Sequence, residues 1–163
     1  MSGGLVIGED QKGFRVAPLT PEDFIDLTML RREIEMLAIT RSVQRGDDGW
    51  EADLVRSFHH MMLARSDTEV GYPVEWSRRH CVFHEALVSA GGSPRLLLLR
   101  RQLFDQFTRY QRIAPRRIWK NSIKDTEHKP LLDAALARDV PGITQLIEEH
   151  IRVLDAILEA VRY

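Results

Sequence analysis

Six stretches of helical period, joined by connections of only a few residues, confine this chain to an antiparallel helical bundle. The clearest start signal is Thr20-Pro21-Glu22-Asp23: threonine as N-cap, proline at the first helical position, and acids in the first turn. From there a first helix is predicted to about Gln44, stopping before Gly46, and a second over roughly Gly49 to Ala64. A third runs from Pro73 to Ala90 and is closed by Gly91-Gly92. Ser93-Pro94 opens a fourth that reaches toward Pro115. A fifth begins near Asp125 or Thr126 and ends near Asp139, and the sixth continues to the C-terminus. Ahead of the helices, Lys12-Gly13 is a turn candidate and Phe14-Arg15-Val16 alternates like a strand, so Leu5 to Pro18 reads as a short β piece.

Composition narrows the function classes. A chain of 163 residues can bury one real core. Its longest apolar run, Leu96 to Leu99, is far too short to span a bilayer. Cys81 is the only cysteine, which excludes an intramolecular disulfide. The N-terminus has no basic region followed by a long apolar segment, so a cytoplasmic protein is expected. A formal net charge of −1 without a long basic run argues against a grip on nucleic acid by this stretch alone, because such a grip needs clustered Lys and Arg.

Placing each helix on a wheel sorts the six histidines. On the sixth helix His150 lies at the centre of a stripe of Ile143, Leu146, Ile147, Val153, Leu154 and Ile157. On the fifth, His128 shares a face with Leu131, Leu132 and Ala135. On the third, His80 and His84 stack four residues apart along the flank of Trp76, Phe83 and Leu87. The second helix presents Leu54, Val55, Phe58, Met61 and Met62 to the core, and His59 and His60 turn away. One inward imidazole is usually a hydrogen-bonded core histidine. Four on three helices invite a second reading, a shared metal ion that satisfies them together. His80-Cys-Val-Phe-His84 is not the zinc-protease signature, which needs a glutamate after the first histidine. Cys81 points about 100° away from His80 and is not expected as a ligand.

The first helix carries another anomaly. Its stripe is read as Phe24, Leu27, Leu30, Ile34, Leu37 and Ala38, with Arg31 inside it and Glu35 at its edge. Arg31 either pairs with Glu35 four residues on, or faces a cavity and receives a ligand carboxylate in bidentate geometry. Arg100 poses the same question among Leu96, Phe104 and Phe107, with snorkelling to solvent as the plainer alternative.

Taken in order, Leu30-Arg31-x-x-Ile34-Glu35, His80-x-x-Phe83-His84, Glu127-His128 and His150-Ile151 resemble the FCD domain. This is the C-terminal effector-binding domain of FadR-type GntR transcriptional regulators. The resemblance spans roughly residues 20 to 160. Trp76 to His84 with the helix Ser93 to Tyr110 is most similar to the carbon-starvation-induced regulator subgroup.

The resemblance implies an all-α antiparallel bundle of six to seven helices, homodimeric, with a divalent metal (zinc or nickel) beside a cavity for a small carboxylic acid effector. Carried over residue by residue, the ligands fall on His80, His84, His128 and His150, where the family's usual first residue is Asp. Four neutral imidazoles leave the ion its full charge and favour an anionic further ligand. Arg31, Arg100 and Glu35 are the expected ligand-binding residues, and a short dicarboxylate the expected effector. Residues 1–18 resemble the last hairpin of a winged helix-turn-helix and its linker, and 19–163 the effector-binding and dimerisation domain. The recognition helix is not in the sequence, so DNA is expected as a partner only through an N-terminal domain this chain lacks, and no membrane is expected. No catalysis is expected. The rival is a metal-dependent enzyme acting on a small organic acid, for which Glu35 and Glu127 are the only nearby candidate bases. Leu97-Leu98, off the main stripe of its helix, marks either a dimer contact or a contact within the bundle.

Overall fold

Four of the helices begin where a short polar side chain, Thr20, Asp47, Ser93 or Asp139, supplies a missing acceptor to a first-turn N–H. A computed structural model of the chain describes residues 6–9, 13–16, 20–64, 74–113 and 127–152. Thr20 Oγ1 accepts the Asp23 N–H at 3.2 Å, and helix α1 follows over Pro21–Arg45 with proline in its first turn. Asp47 Oδ1 accepts the Trp50 N–H at 2.9 Å and opens α2, Asp48–Leu63. Next come α3, Val74–Val88, and a short 3₁₀ turn over Ser89–Gly91. They are followed by α4, Pro94–Ile113; α5, His128–Leu136; and α6, Val140–Arg152. Strands β1, Val6–Glu9, and β2, Gly13–Val16, pair antiparallel with Val6 opposite Val16.

The fold is thus an all-α bundle preceded by a hairpin. One predicted start shifts. The fifth helix starts at His128 rather than near Asp125, and residues 114–126 lie outside the described part, as does the sixth-helix stripe beyond Arg152. Among the described residues no helix is long and apolar enough to cross a membrane.

Antiparallel packing follows from contacts at the helix ends. Across α1 and α4, the Tyr110 hydroxyl donates to the Thr20 carbonyl at 3.3 Å and is also bonded to Asp23, while at the other end Arg45 reaches the Gly91 carbonyl. Across α2 and α3, the Trp50 indole N–H donates to the Ala86 carbonyl at 2.9 Å and Arg79 to the His60 carbonyl. Arg138 closes the α5–α6 corner in a left-handed conformation (φ 57°). Its guanidinium lies 4.8 Å from the Trp50 ring, donates to the Val43 carbonyl and pairs with Glu51. Gly46 has no alternative residue: a Cβ there would sit 2.2 Å from the Trp50 ring.

Phe83, Leu87, Leu54, Ile39, Leu131 and Ile143 are fully enclosed in the core. Emptying one of the larger positions, Phe83→Ala for instance, typically costs about 3–5 kcal/mol. The wheel of α1 needs correction. Its buried face is Phe24, Leu27, Arg31, Glu35, Ala38, Ile39, Ser42 and Val43, whereas Leu30 and Leu37 are exposed. Two charged residues, Arg31 and Glu35, occupy the centre of the stripe, and the two leucines lie outside it. Val55 on α2 is likewise exposed. On α4, Leu97 packs against the core while Leu98 stands clear of the bundle, so Leu98 is not covered by a helix of its own chain among the described residues.

Candidate metal centre

Three helices deliver four imidazoles to one point. His80 and His84 project from adjacent turns of α3, His128 is the first residue of α5, and His150 lies three turns into α6. Their rings approach one another at 4.4 Å (His80–His84), 4.8 Å (His80–His128), 4.9 Å (His128–His150) and 5.1 Å (His84–His150). One nitrogen from each lies within 4.8 Å of the other three. The closest pair, His80 Nε2 and His84 Nε2, is 3.1 Å apart. Imidazole nitrogens sharing one ion at about 2.0–2.1 Å lie about 3–3.5 Å apart, so this pair already has the spacing of two ligands.

The chemistry of the set suits a cation. His80, His84 and His128 are buried. Burial first, and the neighbouring histidines second, hold His80 and His84 well below the usual imidazole range and push His128 down to about 3. At neutral pH these rings are therefore uncharged and each offers a lone pair. Two buried nitrogens, His84 Nδ1 and His128 Nε2, have no hydrogen-bond partner. His84 turns Nε2 rather than the orphaned Nδ1 toward His80, so of these two atoms only His128 Nε2 is a candidate to be satisfied by an ion among the four rings. His59 and His60 are exposed on α2, as their helix face predicted. Cys81 stands apart. Its thiol is pushed up to about 11, chiefly by burial and then by Glu85, and lines an open groove between α3 and α4.

Beside the histidines lies a second buried polar cluster, with Phe104 between the two. The Phe104 ring is 6.3 Å from His84, and the guanidinium carbons of Arg31 and Arg100 lie 5.0 and 4.8 Å from the same ring. Arg100 is buried rather than snorkelling: Nε and Nη2 donate to the two Glu35 carboxylate oxygens, each at 2.8 Å. That corrects the helix-internal reading of Arg31, since the carboxylate offered by Glu35 is taken from another helix. Arg31 Nε and Nη1 are buried without any partner, and its guanidinium also faces Phe107 at 4.3 Å. Burial pushes its pKa down to about 10, with Glu35 opposing and Arg100 adding to the shift. Two cations and one anion leave this cluster one positive charge in excess.

Both carboxylates considered as possible bases are occupied. Glu35 is bound to Arg100, and Glu127 Oε2 lies 2.9 Å from His150 Nδ1. The sequence reading did not identify the parts played by Trp76, stacked on His80 at 4.6 Å, or by the Phe104 and Phe107 rings around Arg31. The i, i+4 step from Trp76 to His80 was a usable signal for the first of these.

The FCD domain family matches residues 26–153. The chain belongs to that family. Within this FCD domain the matched span contains all four histidines and the Arg31–Glu35–Arg100 cluster. It is 34% identical over 152 residues to the HTH-type transcriptional repressor GlaR of Escherichia coli (strain K12), covering 90% of this chain and 69% of that protein. It is 35% identical over 155 residues to the uncharacterized HTH-type transcriptional regulator BphR of Paraburkholderia xenovorans (strain LB400), covering 93% of this chain and 63% of that one. In fold it is similar to a GntR-family transcriptional regulator from Pseudomonas syringae pv. tomato str. DC3000 (TM-score 0.74, 23% identity, 97% of this chain and 65% of that one). It also resembles E. coli McbR/YncC (TM-score 0.80, 19% identity, 99% of this chain and 76% of that one). The chain thus spans about two thirds of the length of the curated relatives it matches.

Proposed function

We propose that this FCD domain is the ligand-sensing and dimerisation part of a GntR-type transcriptional regulator. In this reading His80, His84, His128 and His150 hold a divalent ion, zinc or nickel, and Arg31 receives a carboxylate of a small organic acid beside it. One observation carries the reading. Arg31 is a buried guanidinium with two unbonded nitrogens, beside a cluster of four histidines of which three are buried and uncharged. A cation in such a place is costly unless an anion arrives. Arg100 and Glu35 are assigned a different part from the one expected: they neutralise each other and form the wall against which the Arg31 site is built. The ion, when bound, supplies positive charge that draws an anionic oxygen. A short dicarboxylate has one acid group for each centre.

The names of the relatives supply the rest of the proposal. Acid binding biases the helix packing of residues 19–163, and this alters the DNA affinity of the full-length regulator. Residues 1–18, with their antiparallel hairpin, end the DNA-binding domain. The full protein acts as a cytoplasmic homodimer and has no catalytic turnover.

Elemental analysis combined with a thermal-shift screen of organic acids tests this directly. One equivalent of metal, lost on His84→Ala, and a rise in melting temperature with a dicarboxylate that Arg31→Met abolishes are the expected results. Metal content unchanged by His84→Ala would overturn the site. Conversion of the acid, rather than stabilisation by it, would favour the enzyme reading.

A further inference from the structure

We infer that Glu127 is a positioning residue for the metal centre, fixing His150 in the tautomer that presents Nε2 to the other three histidines. The inference rests on the four-histidine reading above and extends it to a residue that is not itself a ligand.

Three observations carry it. Glu127 stands at the position that would normally cap α5, yet its side chain makes no capping hydrogen bond. Glutamate is not among the favoured N-cap residues, so the side chain is not committed to the first-turn N–H groups. Here it turns instead across 23 positions of sequence to His150 Nδ1, at 2.9 Å on α6. Secondly, a carboxylate facing Nδ1 favours the tautomer with its proton on Nδ1, which leaves the lone pair of the neutral ring on Nε2. Among the described residues no other carboxylate bonds to any of the four rings. His84 Nδ1, by contrast, is left without a partner.

Thirdly, the pair sits on the accessible side of the cluster. The His150 and Glu127 side chains are 12% and 27% exposed, while His80, His84 and His128 are buried. An arriving cation therefore meets the carboxylate-bearing side first. His150 is also the most exposed of the four, so it gains most from a second hydrogen bond that holds its ring in place. Carboxylates behind metal-bound imidazoles act in this manner generally, and removing one commonly lowers affinity about 10–100-fold.

The test uses the whole chain with zinc as the probe. Zinc affinity is measured by chelator competition for wild type, E127Q and E127A, and the His150 ring tautomer by ¹⁵N NMR of the metal-free proteins. E127Q keeps an oxygen acceptor and nearly the same volume, so it remains informative should E127A fold poorly. The expected result is a single Nδ1–H tautomer in wild type, a mixture in E127A, and affinity reduced at least tenfold in E127A and by less in E127Q. Wild-type zinc binding with both variants within twofold of it would overturn the inference and leave the four-histidine site intact. So would the same tautomer mixture in wild type and E127A. Absence of zinc binding by wild type would instead overturn the underlying site, and this inference with it.

Discussion

Arg100 holds Glu35 through two hydrogen bonds of 2.8 Å across 65 positions of sequence, and both side chains are almost wholly buried. The pair joins α4 to α1 at the middle of the core, and the third member of the cluster, Arg31, makes its two halves unequal.

Removing Glu35 leaves two buried cations close together, whereas removing Arg100 leaves Glu35 with Arg31 as a substitute. Breaking a buried pair typically costs about 3–5 kcal/mol. Glu35→Met is therefore expected at or above the upper end of that range and Arg100→Met near its lower end. Urea denaturation of the two variants checks the order, and the reverse order would contradict it.

Arg31→Met should raise the stability of the ligand-free, metal-free chain. The substitution removes two unbonded buried donors, each a penalty of about 1–3 kcal/mol. It forfeits ring contacts with Phe104 and Phe107 worth about 0.5–2 kcal/mol. A net gain of about 1 kcal/mol or more in urea titrations is expected, and a loss of stability would show that Arg31 already has an internal partner.

The metal-free chain should weaken as the pH falls from neutrality. His80, His84 and His128 bind protons far less readily in the folded chain than at their ordinary pKa of about 6.5 in the unfolded one. Below that value the unfolded state takes up more protons, so stability is complete above about pH 6.5 and declines toward the folded pKa of His128, about 3. Each such histidine contributes a slope of at most about 1.4 kcal/mol per pH unit. Urea midpoints of chelator-treated protein at pH 7.5 and 5.0 measure it, and equal midpoints would mean that the rings are not buried uncharged.

Nickel should quench the fluorescence of Trp76, whose indole lies 4.6 Å from the His80 ring at an interplanar angle of 21°. The quenched fraction is expected to vanish in Trp76→Phe while bound nickel stays unchanged. Quenching that survives the substitution would place the ion elsewhere.

Much of this is legible in the sequence. Helix starts at Thr20 and Pro94 follow from local capping chemistry, and the inward faces of His80, His84, His128 and His150 follow from period alone. The stripe of α1 departs from its leucine pattern because charged residues occupy its centre. The spacing Leu27, Arg31, Glu35, Ala38, Ser42 is a regular three–four series, but a charged residue in such a series is credible as core only when its partner is known. That partner, Arg100, is on another helix, and no periodicity along one helix reveals a pairing between two. Glu127 escaped notice as a positioning group for the same reason: its contact with His150 exists only once α5 and α6 meet.

The hydroxyl of Tyr110, bonded to Thr20 and Asp23, gives the buried arginine clamp a mechanical reach. Arg100 and Tyr110 ride on one helix, about 15 Å apart along its axis. A helix transmits displacement along its length as a stiff rod does. Any slide of α4 that loosened the grip on Glu35 would also pull at the first turn of α1, where the bundle meets the chain that precedes it.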